Sequence, residues 1–471
     1  MSSRFLSIKL ALLLLFVGVI LVAPGFRCKC IKSAEEKQAA TPLTLTYWGV
    51  WHSPQDLQDI IALYKAKHPN ITIQYKKLRM EEYEEALLQA WADDQGPDIF
   101  SVPNTWVVRY QNRMTPMPNK IVMLYEVQQK ALGIKNETVT ELRQTPIPSL
   151  AELRAKYVDV VSGDVIRDSK VWGLPYAVDT LSLYYNRQLM NSANIPQPPG
   201  NWEEFVAMVQ QLTFVNKDNA ILQAGAAIGT GSNIERSSDI LSLLMLQNGS
   251  SIVSGNTVTF ASGGKDRGGE LTSPGLQAIA FYTDFANPLK AVYTWNGDMP
   301  VSFEAFVGEK AAFFFGYAYH MPLIRARAPK LDFGVVPVPQ VNEQRPVNIA
   351  NYWVEAVPHR SAHPQEAWDF ILFATDIKQA SVYSKKTGKP SGLRALIDGQ
   401  KNDEVLRPFS SSVLTAQSWY KGKGAVQMEE VMAELLDTVV AQSQHIEEGK
   451  TVADIIPKLA ADAAAKIGAT W

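Results

Sequence analysis

The chain has 471 residues, a net charge of −2 and 46% hydrophobic residues, the balance of a folded protein rather than a disordered one. A near-neutral surface argues against nucleic-acid binding, which needs a basic face to neutralise phosphates. The length exceeds what one hydrophobic core normally serves, so two lobes are expected.

The chain opens with Arg4 and Lys9 ahead of an apolar stretch at 10–26, broken only by Pro24 and Gly25. Such a pattern is a secretory signal or an uncleaved anchor, and ~17 residues sits at the short end for a bilayer span. No small-x-small cleavage site follows directly. Phe26-Arg27 precede Cys28, and Cys28-Lys29 precede Cys30, where a lipoprotein signal has small residues. The expectation is an N-terminal membrane anchor with the folded part outside the cytoplasmic membrane. A cleaved signal, secreted or periplasmic, comes second and a lipoprotein third. Beyond Cys30 there is no cysteine, which excludes cysteine nucleophiles and cysteine-ligated metals from the folded part. Residues 33–42 read as a tether.

Leu43, Leu45 and Tyr47 then alternate as in a strand, and Leu57, Ile60, Ile61 and Tyr64 recur at helical spacing up to His68-Pro69. Ile71, Ile73 and Tyr75 alternate again. Tyr83, Ala86, Leu87, Ala90 and Trp91 share a helix face until Gly96-Pro97, and 98–102 reads as a third strand. This β-α-β-α-β order predicts doubly wound, mostly parallel sheets flanked by helices. Ligands bind beyond the carboxyl ends of such strands, here at 49–53 and 103–106. Residues 115–154 read as a surface insertion, and strand character returns at 173–185. Asn201 is placed to cap a helix with Glu204 reaching back. Residues 263–272 read as a loop, and Val431, Leu435, Leu436 and Val439 mark a long helix.

Several chemical signals fail. The run from Gly225 to Gly231 has the wrong glycine order for a dinucleotide turn, and Gly263-Gly264-Lys265 continues with Asp266, not as a phosphate loop. His359 and His363 are bracketed by prolines, which favours a surface turn over a metal site. Tyr184-Tyr185 invites an iron reading, but strand neighbours point to opposite faces, so at least one packs in the core. What stands out is a set of rings and polar groups at predicted strand ends. Trp51, Trp106, Tyr317 and Trp419 offer stacking faces; Asp179 and Asn104 offer hydrogen bonds. Core packing competes for each ring taken singly.

From 43 onward, apart from most of 115–154, the chain resembles the family-1 extracellular solute-binding proteins. The carriers are Tyr47-Trp48-Gly49, Gly96-Pro97-Asp98-Ile99-Phe100, the run Trp172 to Asp179, and Leu183-Tyr184-Tyr185-Asn186. Asn201-Trp202-Glu203-Glu204-Phe205, the stretch around Gly308-Glu309-Lys310-Ala311-Ala312, Ala367-Trp368-Asp369-Phe370 and Ser418-Trp419-Tyr420 continue the series. The resemblance implies an α/β clamshell of two lobes, 43–178 with 338–386 and 179–336 with 393–471. The chain would cross near 177–182, 333–339 and 387–394. It also implies a sugar ligand, an ABC-importer permease as partner, a monomer, and no cofactor, metal or catalysis. By the same resemblance Asp179 contacts sugar, while Tyr317 and Trp419 stack on it. Trp51 and His52 sit in the first binding loop; Asn104, Thr105 and Trp106 sit in the second, where maltose binders carry an acid–base pair. A polyamine, a phosphate ester (with Arg236 and Arg394 as candidate cations) or iron in the same fold, or a surface glycosidase, are the alternatives.

Overall fold

The computed structural model describes residues 40–131, 135–218, 220–254, 257–264, 270–420, 422–446 and 450–469. The apolar stretch at 10–26, Cys28 and Cys30 lie outside the described residues. Among the described residues no helix is long and apolar enough to cross a membrane.

The first strands and helices form as their periodicity dictates: Leu43–Gly49, helix Pro54–Lys67, Ile71–Lys77, helix Met80–Ala92 and Ile99–Pro103. The first helix starts where Ser53 and Asp56 cap each other's backbone N–H, at 3.2 and 2.8 Å. It ends at His68, before Pro69. The three strands are parallel neighbours in the order Ile71–Lys77, Leu43–Gly49, Ile99–Pro103.

Here the sheet departs from the doubly wound, mostly parallel expectation. Trp353–Pro358 joins Ile99–Pro103 antiparallel, and Met114–Thr115 completes the sheet on its far side, also antiparallel. The register sets Trp353 beside Pro103, at the ligand-facing end. The second five-stranded sheet runs Phe214–Val215, Ile221–Ala226, Ala311–Gly316, Ser182–Asn186, Phe333–Pro337. Only Ile221–Ala226 with Ala311–Gly316 is a parallel pair. Both sheets are therefore mixed. A strand that arrives from the other lobe, rather than through a βαβ crossover, is free to enter in the opposite direction.

The centre of the second sheet is Ala311–Gly316, buried at every position, as an unbroken apolar run in a doubly covered strand should be. Phe314 packs on Tyr184 and Phe306 in that core. Tyr184 is fully buried and its neighbour Tyr185 half-buried, the opposite-faces outcome.

A three-stranded ribbon connects the two sheets. Asn348–Asn351 pairs antiparallel with Asp179–Thr180 and parallel with Ala416–Gln417. Phe333–Pro337, near the crossing expected at 333–339, is the edge strand of the second sheet, and the chain then returns to the first sheet through Asn348–Asn351. Both sheets belong to one compact unit, residues 43–123 and 144–471. The insertion contains a two-stranded hairpin, Val122–Ala131 and Lys135–Gln144, of which 124–143 fall in a second unit.

Candidate functional site

A cleft of about 260 Å³ opens at the carboxyl end of the first sheet. Trp51, Met80, Asn104, Thr105, Trp106 and Trp353 line it from the first lobe; Arg236, Asp239, Tyr319, Trp419 and Glu429 line it from the other side. Five of these side chains are aromatic, each carried by a different segment. A larger cavity of about 430 Å³ borders Arg325, Lys385 and Lys386, and among the described residues no aromatic ring lines it.

The chain turns at Trp51 between the first strand and the Ser53 cap. Its indole stacks toward Trp353 (centroids 6.5 Å apart, 17° between planes) and meets Tyr319 edge-on at 4.8 Å. The Lys389 ammonium lies 4.4 Å from the centre of the Trp51 ring, a cation–π distance. Burial lowers the Lys389 pKa to about 8, against the pull of Asp56 and Asp179.

Asn104–Trp106 form one 3₁₀ turn directly after the strand Ile99–Pro103. Asn104 is held on both sides: its backbone N–H donates to Tyr352 O at 2.9 Å, and Nδ2 donates to Ser418 Oγ at 2.7 Å. Trp106 stacks on Tyr110 at 5.8 Å with Arg109 nearby, which leaves Thr105 half-exposed at the rim.

Asp239 organises the opposite wall. It is completely buried, and its Oδ1 accepts from Trp419 Nε1 at 2.8 Å. Its Oδ2 accepts from Tyr317 Oη at 2.5 Å and from Arg236 Nε at 2.7 Å. A buried carboxylate is stable only when its lone pairs are taken by donors, and here three donors take them. Arg236 adopts φ 61°, a left-handed conformation unusual for a residue with a side chain. It precedes the helix Ser237–Gln247, and Nη2 reaches toward Glu429 Oε1 at 3.5 Å. Glu429 is on the helix Ala425–Ser443. That helix packs closely because Gly231 has no side chain: a Cβ there would lie 2.0 Å from Ala433 O. The Gly231 and Ser232 N–H groups donate to Asp437 on the same helix, at 2.6 and 3.0 Å.

Five of the eight residues singled out in the sequence line this cleft: Trp51, Asn104, Thr105, Trp106 and Trp419. The other three sit outside the lining. His52 is buried, with Nε2 3.0 Å from Glu355 and Nδ1 2.8 Å from the Tyr383 hydroxyl. Glu355 also accepts from Tyr47 at 2.6 Å and Ser101 at 2.5 Å. Tyr317 is fully buried, fixed by Asp239 and stacked against Tyr319. Asp179 begins the ribbon, its carboxylate accepting from the N–H groups of Ala318 and Thr180 at 2.8 and 2.9 Å. Burial raises its pKa to about 7, opposed chiefly by the Ala318 N–H and by Lys389.

Arg236 reaches the cleft, whereas Arg394 is held elsewhere by Asp159 and the Tyr157 carbonyl, so the two do not converge. Asp239, Tyr319, Trp353 and Glu429 were not picked out. Asp239 had a signal, a lone carboxylate between Ser237-Ser238 and the mostly apolar run Ile240 to Leu246. Tyr319 had a weaker one, two residues after Tyr317.

The model of the bacterial extracellular solute-binding protein family matches residues 51–380. An uncharacterised ABC transporter extracellular-binding protein of Pyrococcus horikoshii is 23% identical over 399 residues, 80% of each chain. Putative binding proteins of Brucella are 29% identical over 68 residues, and that match spans only 16% of their length. Among solved structures, the cyclic α-maltosyl-1,6-maltose binding protein of Arthrobacter globiformis superposes with TM-score 0.69 at 17% identity, covering 91% of this chain and 100% of that one. The UgpB protein of Mycobacterium tuberculosis, in complex with glycerophosphocholine, gives 0.66 at 14% identity, covering 90% and 98%. These likenesses show a shared two-lobed clamshell fold. The extent of the family match makes this chain a member of the bacterial extracellular solute-binding proteins.

Proposed function

We propose that the chain is the extracytoplasmic binding component of an ABC importer and holds a sugar or oligosaccharide in the ring-lined cleft. It is a binding protein, not an enzyme, in keeping with its family. The observation that carries the sugar reading is the five-ring lining, with Trp419 oriented by a buried carboxylate. Ring faces cover the apolar faces of a pyranose, while Asn104, Arg236 and Glu429 serve its hydroxyls. Relatives of this fold bind a cyclic maltosyl sugar in one case and glycerophosphocholine in another, so the fold does not choose the ligand and the site must. A phosphate ester calls for converging free guanidinium groups. Among the described residues, the one arginine lining this cleft is already engaged by Asp239 and near Glu429, which favours the sugar.

The hinge in this reading is the ribbon of Asp179–Thr180, Asn348–Asn351 and Ala416–Gln417. Ligand contacting both walls shifts the open–closed population toward closed, and the closed form is what a permease receives. The segment 10–26 is proposed to tether the protein to the membrane, and the binding unit to act as a monomer.

Thermal-shift screening of a sugar library tests the assignment, since a ligand that binds only the folded state raises the melting temperature. Hits should titrate in solution and be lost in Trp419→Ala. A screen in which only non-sugar solutes stabilise the protein would reject it.

A further inference from the structure

The charged groups on the cleft wall do not balance. Among the described residues, Arg236 is the lining cation, and Asp239 and Glu429 are the lining carboxylates. Asp239 is spent on Arg236, Tyr317 and Trp419. That leaves Glu429, whose contact with Arg236 is long at 3.5 Å and whose side chain is 35% exposed. Burial pushes the Glu429 carboxyl above its ordinary value; Arg236 opposes this and Asp239 adds to it. Behind the wall, Asp164 lies next to Asn104 and Lys389 next to Trp51, charges of opposite sign that leave the excess in place. Asp179, raised by burial to about 7, adds no positive charge. The five rings that line the cleft with Glu429 present negative π faces, which attract cations as well as sugar C–H faces.

We propose that the sugar held here carries a protonated amine, seated beside the Glu429 carboxylate and among the surrounding rings. This rests on the sugar reading above and narrows it to amino sugars. A neutral sugar leaves the Glu429 charge uncompensated in a partly dry cleft. An anionic sugar or phosphate ester meets it with like charge, which disfavours binding.

The test is calorimetric titration of the full folded chain with matched pairs: glucosamine and glucose, galactosamine and galactose, a glucosamine disaccharide and cellobiose. Spermidine serves as the amine without a sugar. The amine member of at least one pair should bind about 10- to 100-fold more tightly than its neutral partner, the range of a charge-assisted hydrogen bond. That preference should disappear when the pH is raised past the ligand amine's own pKa, a readout on the wild-type protein that needs no variant. In Glu429→Gln the ratio of the two affinities should fall by about tenfold or more, with the ligand-free melting temperature reporting that the variant is folded. Neutral members binding as well as or better than amine members overturns the amine proposal and leaves the sugar reading standing. Spermidine binding with no sugar bound overturns both, whereas no binding by either member of any pair overturns the amine proposal and leaves the sugar reading to the library screen.

Discussion

The rings of Trp51 and Tyr319 meet edge to face with centroids 4.8 Å apart, one from the loop after the first strand, the other from the segment after Ala311–Gly316. They join the two walls directly. An edge-to-face pair is worth about 0.5–1.5 kcal/mol, so removing it from the ligand-free protein should move the closed–open equilibrium toward open by roughly 2- to 12-fold. Small-angle scattering of Tyr319→Ala without ligand should give a larger radius of gyration than wild type. An unchanged radius would mean the contact does not hold the walls together.

Trp419 and Asp239 make a prediction about pre-organisation. Trp419→Phe keeps a ring in place but removes the Nε1 donor, and a hydrogen bond to a charged group contributes about 1.5–3 kcal/mol. Asp239→Ala goes further, stranding Arg236, Tyr317 and Trp419 together, and should cost about 3–5 kcal/mol of unfolding free energy. Urea titration of both variants measures the two losses. Equal stability of Asp239→Ala and wild type would refute the wall architecture.

Asp179 governs a pH dependence. Its carboxyl is raised from 3.8 to about 7 in the folded protein, chiefly by burial, so between these values the folded state holds a proton that the unfolded state has released. The stability this contributes is fully present below about pH 4 and is lost as pH rises through about 7. Asp179→Asn, which cannot ionise, should not show the loss. The wild-type advantage over the variant should therefore decline from pH 4 to 7 by at most ~1.4 kcal/mol per pH unit. Parallel denaturation curves across that range check it, and a difference independent of pH would contradict the assignment.

His52 tests whether a side chain next to the cleft belongs to it. With Glu355 and Tyr383 both relying on the imidazole, His52→Ala should lower stability by about 1–3 kcal/mol, the cost of buried polar atoms left without partners. Ligand affinity should change far less than in Trp419→Ala. A stable variant that fails to bind would instead put His52 in contact with ligand.

The β-α-β-α-β start was legible because each element carries its own period and its own stop, from the Ser53 cap to the Gly96-Pro97 break. Trp51, Asn104 and Trp106 were legible for the same reason: they follow strands whose ends the pattern marks. Sheet polarity was not. Alternating residues record which face is buried, not which way a strand runs, so the antiparallel entry of Trp353–Pro358 had no local trace. Trp353 and Glu429 were invisible because neither follows a strand end that the pattern marks nor lies in a stretch that carries the family resemblance. Asp179 and Tyr317 came from the resemblance and His52 from its place in the first binding loop; in this structure each meets a buried partner, Ala318, Asp239 and Glu355 respectively. The Asn201 cap held, accepting from Glu204 N at 2.9 Å, but the Glu204 carboxylate reaches Gly200 N at 2.8 Å rather than the cap's own N–H.

Because one carboxylate, Asp239, fixes the pose of an indole, a phenol and a guanidinium at once, the wall it anchors can change only as a set. Replacing the carboxylate strands all three donors, and replacing any one donor leaves a buried carboxylate short of a partner. Met80 is exposed and Thr105 half-exposed on the facing wall, and neither carries such a dependency. A lineage shifting from one solute to another would therefore vary first at these two positions, with the Asp239 side inherited intact as a template against which new ligands are tried.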